Sequence, residues 1–340
     1  MMKQVLSAEA AMARAIDCAR LGLGMTYPNP IVGAVITSAT GEVLSEGFHQ
    51  GGAHAEVIAL NAVKEIPTGS IIYISLEPCN HRGKTPPCVD AIINSGIKKV
   101  VYAVSDPNPI ATGGAERLRA AGIEVESGLG EEQARLENRA WLTKMELGRP
   151  RITWKIASTL DGKVAASDGS SKWITGELAR TEVAQMRSRV DGLVTSTTTV
   201  IADNPLLTSK GFGKNPVRIV MGTSELNAKM QVFNDAAETV LLKSRNFIDL
   251  LSLAKERGFN ELLIESGPTF GTALLRANLI DEIVLFQAPT LLGSGTPSIG
   301  DLGITNISGR LDFEILDVEM IGSDLKITLF KSANSAESER

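Results

Sequence analysis

The sequence contains residues that could form a metal site: two cysteines, one histidine and one glutamate at suitable spacings. Cys79 and Cys88 lie in the stretch EPCNHRGKTPPC, and His54 and Glu56 open the stretch HAEVIAL. One neutral imidazole and two thiolates are three ligands for Zn²⁺, which leaves the fourth position open for water, as catalytic zinc sites require. Bound zinc lowers the pKa of such a water to about 7, so that a hydroxide nucleophile exists at neutral pH. The pattern therefore predicts a hydrolytic zinc centre.

Glu56 is predicted to carry protons rather than to bind the metal. It stands two positions after His54 at the start of a predicted helix, where both side chains can project toward the same open end. A carboxylate in that place can move a proton to a leaving amine. The alternative for Cys79 and Cys88, a disulfide, is disfavoured, because cytosolic thiols stay reduced and three cysteines cannot all pair within one chain. Cys18 is predicted to be a small buried residue of the first helix.

Length, charge and composition limit the class of protein. A chain of 340 residues predicts two domains rather than one core. The net charge of −5 argues against a protein that holds nucleic acid through a broad basic face. The N-terminus lacks the apolar core of a signal peptide, and no apolar run is long enough to cross a bilayer, so we expect a cytoplasmic protein with no membrane partner.

The elements that must position the zinc ligands alternate along the first half of the chain. This alternation, after an initial hairpin, predicts a three-layer α/β/α domain with Cys79 at the carboxyl end of a strand and Cys88 at the start of a helix. The predicted strands are 31–37, 42–48, 70–76, 98–104 and 122–127, and the predicted helices are 7–23 with Ser7 as N-cap, 53–64, one from Pro87, 115–121 and 131–146.

The zinc pattern resembles the signature of the cytidine-deaminase superfamily, H-x-E followed by P-C-x-x-C. Here the second half reads P-C-x8-C, and this longer step, with YPNPIVGAVI upstream and DPNP downstream, resembles the deaminase domain of the bifunctional riboflavin-biosynthesis deaminase–reductases. The resemblance implies a cytidine-deaminase-like fold, one zinc ion held by His54, Cys79 and Cys88, and Glu56 as the catalytic residue.

The same resemblance implies contacts with a phosphorylated pyrimidine substrate. The residues at the matching positions are Asn29, His81, Lys84 and Thr85. Lys84 could meet a ribose phosphate as a point charge, although a solvated loop lysine is nearly as consistent with its position. Asn29, between two prolines, could equally form a plain Asx turn. His49 receives no assignment.

The second half of the chain lacks G-x-G-x-x-G, so a dinucleotide-binding Rossmann domain is disfavoured. Instead, ELLIESGPTFGTALL predicts a strand, a glycine turn and a helix whose free N–H groups could hold a phosphate, although an ordinary tight turn has the same pattern. Together with WKIASTLDGKVA, SSKWITG, TTTVIADNPLLT and APTLLGSG, in this order, the segment resembles the reductase domain of the same bifunctional family. The resemblance implies a dihydrofolate-reductase-like α/β domain that uses NADPH.

Two sets of reductase residues follow from this resemblance. The NADPH positions are Ala157, Trp173, Thr199, Asp203, and the turn of Gly267, Pro268, Thr269, Phe270, Gly271, Thr272 and Ala273. The substrate positions are Ser171, Arg187, Leu207, Lys210 and Glu265, and Lys155 on the preceding strand is expected to face the substrate as well. The fixed fork of Arg187 suits a phosphate, but a surface arginine fits the pattern too, and Trp173 could equally be a core residue.

Two departures from the family pattern affect the reductase half. Lys210 stands where members usually place an arginine, which keeps the charge and loses bidentate geometry. Met221 and Gly222 stand where an aspartate typically follows the strand, which removes a possible acidic contact with the coenzyme.

The pattern restarts after ELGRPR, so the predicted organisation is a zinc-dependent deaminase domain at 1–146, a linker at 147–150, an NADPH-dependent reductase domain at 151–332 and a disordered tail at 333–340. The resemblance implies deamination of a diaminopyrimidine nucleotide followed by reduction of its ribosyl chain. The alternatives are a deaminase of tRNA or a free nucleoside, a deaminase whose C-terminal domain only binds nucleotide, and a zinc-stabilised binding protein. The family implies a homodimer or higher homo-oligomer.

Overall fold

The computed structural model describes residues 5–83 and 86–331, and these divide into two compact units at the Arg149–Pro150 junction, inside the predicted linker. In the described part of the first unit, a five-stranded sheet has the order β2-β1-β3-β4-β5, with β1 antiparallel to both neighbours and β3, β4 and β5 parallel. The strands are β1 (Gly33–Thr37), β2 (Val43–Phe48), β3 (Ile71–Leu76), β4 (Lys99–Val104) and β5 (Glu124–Ser127). The helices are α1 (Ala8–Arg20), α2 (Ala55–Ala62), α3 (Cys88–Ser95), α4 (Gly114–Ala120), α5 (Glu131–Glu137) and α6 (Arg139–Leu147).

Alternate residues of the central strands face opposite helical layers, because successive side chains of a strand point to opposite faces. Ile72 and Ile74 of β3 pack in a core with α2, α3 and α4. Tyr73, between them, packs in a second core with α1, α5 and α6. The predicted three-layer arrangement and the hairpin of β1 and β2 are confirmed.

A glycine in β2 lets helix α2 lie close to the sheet. A Cβ atom at Gly47 would stand 2.4 Å from the carbonyl oxygen of Ala55 and 2.7 Å from the amide nitrogen of Ala59. Any side chain at this position would push the first turn of α2 outward. Gly47 therefore helps to fix the place of His54 and Glu56, which this turn carries.

The single helix predicted over 131–146 is wrong, because the chain breaks it at Asn138 into α5 and α6. The Asn138 side chain is buried and serves the backbone of another segment: its Oδ1 accepts from the amide of Ile31 at 2.9 Å, and its Nδ2 donates to the carbonyl oxygen of Ile31 at 2.8 Å. Helix α1 starts after the predicted cap, since Ser7 Oγ accepts from the amide of Ala10, but it ends at Arg20, short of the predicted limit.

The second unit is built on a mixed sheet of eight strands among the described residues, in the order β10-β9-β8-β11-β6-β12-β15-β14. Neighbours from β10 to β12 are parallel, and β15 and β14 are antiparallel additions at one edge. The strands are β6 (Arg151–Thr159), β7 (Lys163–Ala166), β8 (Gly192–Ser196), β9 (Val217–Met221), β10 (Thr239–Leu242), β11 (Glu261–Ile264), β12 (Glu282–Ala288), β13 (Gly295–Pro297), β14 (Phe313–Ile321) and β15 (Asp324–Lys331), of which β7 and β13 pair separately. The helices are α7 (Glu177–Arg189), α8 (Thr197–Asp203), α9 (Phe247–Arg257) and α10 (Pro268–Arg276).

Gly271 is needed for the close packing of α10 against β6. A Cβ atom there would stand 2.0 Å from a ring carbon of Trp154, a buried residue of β6, so only glycine lets α10 rest on this ring. Since the strands from β10 to β12 are parallel, their carboxyl ends meet at one edge of the sheet, where open α/β sheets hold ligands. The start of α10 lies at this edge, directly after β11.

None of the described helices combines the length and apolar character needed to span a membrane. The tail predicted at 333–340 lies outside the described residues.

Candidate active sites

The side chains of His54, Cys79 and Cys88 converge in the first unit. The Nδ1 atom of His54 lies 3.1 Å from Cys88 Sγ and 3.5 Å from Cys79 Sγ, and all three ligand atoms lie within 4.8 Å of one another. His54 is the residue before α2, Cys79 follows β3, and Cys88 is the first residue of α3. Two sulfurs and an imidazole nitrogen at this separation fit Zn²⁺ and leave a ligand position open.

Hydrogen bonding prepares one thiol for a metal. The side chain of Cys88 and its amide, which lies 3.4 Å from Cys79 Sγ, lower the pKa of the Cys79 thiol to about 4 against the opposing effect of burial. Cys79 is therefore the more acidic thiol of the pair. Cys88 donates its thiol proton to Cys79, and this hydrogen bond together with burial raises the pKa of the Cys88 thiol. Binding of a cation in place of that shared proton would give the second thiolate, which couples metal binding to proton release.

Glu56 lies beside this cluster and is nearly inaccessible, with 3% of its surface exposed. Burial raises the pKa of its carboxyl to about 7. Its Oε2 atom is buried without a hydrogen-bond partner among the described residues. A carboxyl group with a pKa near 7 can both accept and release a proton at neutral pH, as a general acid–base requires.

The predicted substrate contacts of this unit occupy different settings. Asn29 is exposed on a tight turn, in which its backbone N–H donates to the carbonyl oxygen of Thr26 at 2.9 Å. His81 is half-buried in the loop after Cys79, with a buried Nδ1 that has no partner among the described residues. Lys84 and Thr85 lie outside the described residues, so their roles stay predictions.

Sequence reasoning assigned no role to three buried polar residues near the cluster. The ring of His49 meets that of His54 edge-on, with centroids 5.3 Å apart, and its Nδ1 lies 3.1 Å from the carbonyl oxygen of Ala53. Glu77 accepts from the amides of Asp106 at 3.3 Å and Ala115 at 3.0 Å, which ties the end of β3 to the segment after β4. Burial raises the pKa of the Asp106 carboxyl to about 6. The DPNP stretch was the available signal for Asp106.

In the second unit, the structure joins three predicted substrate residues into one buried ion network. Arg187 donates to Glu265 through Nε at 2.6 Å and Nη2 at 2.9 Å, and Lys155 Nζ lies 3.5 Å from Glu265 Oε2. Burial alone would raise the pKa of Glu265, but the charges of Arg187 and Lys155 outweigh it and lower the pKa to about 2. Arg187 Nη1 also donates to the carbonyl oxygen of Thr208 at 3.0 Å. Arg187 is thus a partly buried member of a network, and the surface alternative is wrong.

Four further predicted residues of the second unit differ in how far they are buried. The Leu207 side chain is buried in a core with Leu193 and Val200, so only its main chain can face a ligand. Lys210 is exposed, and Ser171 is half-buried in the loop before α7. Trp173 is 70% exposed, with the Arg180 guanidinium 4.7 Å from the ring centroid, so the alternative of a core tryptophan is wrong.

A cluster of hydroxyl groups stands at the start of α10. Ser196 Oγ lies 3.0 Å from both Thr199 Oγ1 and Ser266 Oγ, and the last two lie 3.2 Å apart. The amide of Gly267 approaches Thr199 Oγ1 at 3.3 Å. Hydroxyl groups at a helix N-terminus fit the phosphates of a dinucleotide. Sequence analysis predicted Thr199 and a turn at 267–273 but gave no role to Ser196 and Ser266, whose only signal was a polar type at a strand end. The predicted turn is wrong beyond Gly267, because residues 268–273 already belong to α10.

The other coenzyme positions are less defined. Ala157 lies two residues from Lys155 on β6, so the two share a face of the sheet. The carbonyl oxygen of Asp203 accepts from Lys172 Nζ at 3.3 Å.

The departure at Met221 and Gly222 has a steric reason. Gly222 adopts a φ of 140°, and a Cβ atom there would stand 2.3 Å from Thr197 Oγ1. An aspartate would not fit beside this threonine. Met221 itself is buried at the end of β9.

Comparisons with known proteins assign a family to each unit. Residues 6–104 match the cytidine and deoxycytidylate deaminase zinc-binding region, and residues 150–327 match the RibD C-terminal domain. The chain is similar to the riboflavin biosynthesis proteins RibD of Mycobacterium tuberculosis, at 41% identity over 96% of this chain and 98% of the relative, and of Aquifex aeolicus, at 40% identity over 93% and 96%.

Solved structures match over the same length. RibD of Acinetobacter baumannii superposes with a TM-score of 0.88 at 34% identity, covering 95% of this chain and 98% of that one. A Thermotoga maritima protein described as a diaminohydroxyphosphoribosylaminopyrimidine deaminase and 5-amino-6-(5-phosphoribosylamino)uracil reductase superposes with a TM-score of 0.87, at 34% identity and with coverage of 95% and 98%. The predicted fold class is confirmed.

A zinc deaminase unit followed in one chain by a reductase unit defines a bifunctional deaminase–reductase. Its cofactors are Zn²⁺ and NADPH. The chain belongs to the RibD family of riboflavin biosynthesis. Similarity to bifunctional enzymes over nearly the whole chain argues against the three alternatives considered from the sequence.

Proposed function

We propose that the chain deaminates 2,5-diamino-6-(5-phosphoribosylamino)pyrimidin-4(3H)-one in its first unit and reduces the ribosyl chain of the product in its second, giving 5-amino-6-(5-phosphoribitylamino)uracil. The observation that carries the first half is the convergence of His54, Cys79 and Cys88 beside the buried carboxyl of Glu56. The Thermotoga maritima relative is described by this pair of reactions.

In the deaminase unit, His54, Cys79 and Cys88 would hold the zinc ion, which supplies a Lewis acid and lowers the pKa of water. Glu56 takes one proton of the attacking water and delivers it to the ring nitrogen, and it then passes the remaining hydroxyl proton to the leaving amine. The carbon–nitrogen bond breaks, ammonia leaves and a carbonyl remains. The pKa of Glu56, raised to about 7 by burial, suits a group that must hold and release a proton within one cycle.

In the reductase unit, bound NADPH would supply the hydride that reduces C1′ of the ribosyl chain. The cluster of Ser196, Thr199 and Ser266 holds coenzyme phosphate at the start of α10. Glu265 holds Lys155 and Arg187 in place through its ion pairs, and Lys155 orients the sugar oxygen or donates the proton it needs. Three of the five N–H donors of Arg187 are already used within the protein, so exposed Lys210 is the stronger candidate for the substrate phosphate.

Removal of zinc tests the assignment of the first site. We expect that a chelator strong enough to strip the metal abolishes ammonia release from the diaminopyrimidine nucleotide, and that NADPH oxidation with the deaminated substrate persists. Cys88→Ala should purify without zinc, whereas Cys18→Ala should keep one zinc ion per chain, because Cys18 lies in α1 and its thiol bonds Glu46. Undiminished ammonia release by zinc-free protein would refute the assignment.

We also propose that the enzyme is a homodimer through its reductase unit. The edge strand β14 exposes four large apolar side chains, Ile315 at 67%, Leu316 at 39%, Val318 at 52% and Met320 at 65%. A long edge strand with such a surface is prone to pair with another chain, and a second copy would cover it. In sedimentation, Val318→Lys should shift the dimer toward monomer, whereas Ile307→Lys, at an exposed isoleucine outside the strand, should leave it unchanged. A wild-type monomer at all concentrations would exclude this arrangement.

The proposed cellular location is the cytoplasm. Cys18, Cys79 and Cys88 are free thiols, and metal ligation by two of them requires a compartment that keeps thiols reduced.

A further inference from the structure

Arg218 of β9 is buried, with none of its surface exposed, and has no role in the site described above. Its Nη1 donates to the carbonyl oxygen of Leu206 at 3.1 Å and to Oδ1 of Asn234 at 2.9 Å. Its Nη2 donates to the carbonyl oxygens of Asn234, at 2.6 Å, and Ala237. These acceptors are all neutral oxygens, so the dipoles of two chain segments stabilise the buried guanidinium, and no carboxylate of the described residues pairs with it.

Burying an unpaired cation costs desolvation free energy, so we attribute the presence of Arg218 to the geometry that it imposes on its acceptors. The guanidinium is a rigid planar fork, so donors on it fix the relative positions of their acceptors. Here one terminal nitrogen bonds Leu206, while both bond the segment 234–237. Arg218 therefore sets the place of Leu206 against a second, independent segment.

Leu206 belongs to the segment 204–210, which we call the substrate loop because it carries Leu207 and Lys210. Three residues of this loop that are not glycine have positive φ angles: Asn204 at 45°, Leu207 at 54° and Lys210 at 51°. Such conformations persist only where surrounding contacts determine them. The loop backbone cannot hold this path by local preference.

Contacts from outside hold the loop at successive points. Arg187 bonds the carbonyl oxygen of Thr208, and Asn215 Oδ1 accepts from the amide of Ser209 at 2.8 Å. The bond from Arg218 to Leu206 is the contact that adjoins Leu207 on its other side. The main chain at Leu207 is thus held between two arginines, one on each neighbouring carbonyl.

We infer that Arg218 is a positioning residue of the reductase, which acts through the carbonyl group of Leu206 to hold the substrate loop in its binding geometry. The inference rests on the proposed role of Leu207 and Lys210 in binding the substrate. It predicts that loss of Arg218 weakens binding of the pyrimidine nucleotide and spares the coenzyme, whose hydroxyl cluster stands at the ends of β8 and β11.

The test compares Arg218→Lys with Asn234→Ala, using the full chain, NADPH and the deaminated pyrimidine nucleotide. The three N–H donors of a single ammonium nitrogen cannot reproduce the four bonds that the two terminal nitrogens of Arg218 make, so we expect the KM for the nucleotide to rise about tenfold, as loss of one charge-assisted hydrogen bond allows. The KM for NADPH should change by less than about twofold, and ammonia release from the first unit should be unchanged. Asn234→Ala removes one acceptor of Arg218 and keeps the bond to Leu206, so it should keep the wild-type KM for the nucleotide.

Three results would overturn the inference. The first is an unchanged KM for the nucleotide in folded Arg218→Lys protein. The second is an equal rise of the KM for the nucleotide and for NADPH, and the third is an equal rise of the KM for the nucleotide in Arg218→Lys and Asn234→Ala. If the lysine variant does not fold, Arg218→Gln, which removes the buried charge and keeps an amide donor, must show the same KM split. Failure of both variants to fold would assign Arg218 a purely structural role. If the wild-type protein oxidises no NADPH with this nucleotide, the proposed reductase function fails instead.

Discussion

Glu56→Gln is expected to lower the rate of ammonia release by a factor on the order of 10³, the usual size of a general acid–base contribution. Glutamine keeps the size of the side chain but cannot accept the proton of water or return it to the leaving amine. The group that it replaces is buried and has a pKa raised to about 7, so its proton transfer cannot be taken over readily by bulk water. Ammonia release should be measured at saturating diaminopyrimidine nucleotide on protein with one zinc ion per chain.

Two controls separate this effect from damage to the fold. NADPH oxidation by Glu56→Gln with the deaminated nucleotide should equal that of the wild type, because the second unit holds its own site. Glu65→Gln, at an exposed glutamate beyond the end of α2, should retain ammonia release. Loss of both activities in a folded Glu56→Gln variant would count against separate sites.

Glu265→Gln should destabilise the reductase unit by about 3 kcal/mol and abolish NADPH oxidation. The substitution removes the anion from a network in which Arg187 and Lys155 are also largely buried, and an uncompensated buried charge costs about this much. Lys155 and Arg187 would then lose the group that orients them. Urea unfolding followed in the reductase unit measures the first effect, and coenzyme absorbance with the deaminated nucleotide measures the second.

Glu238→Gln provides a matched control. Glu238 also binds an arginine with both oxygens, since Arg257 lies 2.7 and 3.0 Å from them, but this pair is on the surface. Exposed ion pairs contribute at most about 1 kcal/mol, so this variant should stay within that range and keep full activity. Equal destabilisation by the two substitutions would show that burial of the Glu265 network contributes nothing.

The Glu265 network also predicts a dependence of stability on pH. The pKa of the Glu265 carboxyl in the folded protein is about 2, below its ordinary value of 4.5, so folding favours the ionised carboxylate. The contribution is fully present above about pH 4.5 and is lost as the pH falls toward 2. The difference in free energy of unfolding between wild type and Glu265→Gln should therefore be constant from pH 7 to 5 and shrink below pH 4.5. A difference that grows on acidification would contradict the assignment.

Local patterns predicted the elements well where one segment decides its own structure. Ser7 begins α1 as a helix cap, and the alternation of apolar residues in β3 and β4 produces a sheet covered on both faces. The break at Asn138 escaped prediction, because its cause is a pair of hydrogen bonds to Ile31, 107 positions away. The sequence around Asn138 contains no sign of that partner.

Site residues follow the same division. His54, Glu56, Cys79 and Cys88 were recognisable because ligand type and spacing carry the chemistry, and the fold only needs to close the distance between them. The hydroxyl groups of Ser196 and Ser266 were not recognisable, since serine at a strand end has many ordinary roles.

The sequence by itself determined the two chemistries and their order, because a three-ligand zinc pattern with an adjacent acid and a long series of reductase motifs are readable within short segments. Only the tertiary structure decided that Lys155, Arg187 and Glu265 form one ion network and that Arg218 holds the loop through Leu206. The physical reason is the set of parallel strands in the mixed sheet of the second unit, which brings together residues that are far apart in the chain. Because Glu265 is buried there, the charges of Lys155 and Arg187 determine its ionisation, and this dependence cannot be predicted from the spacing of the three residues in the sequence.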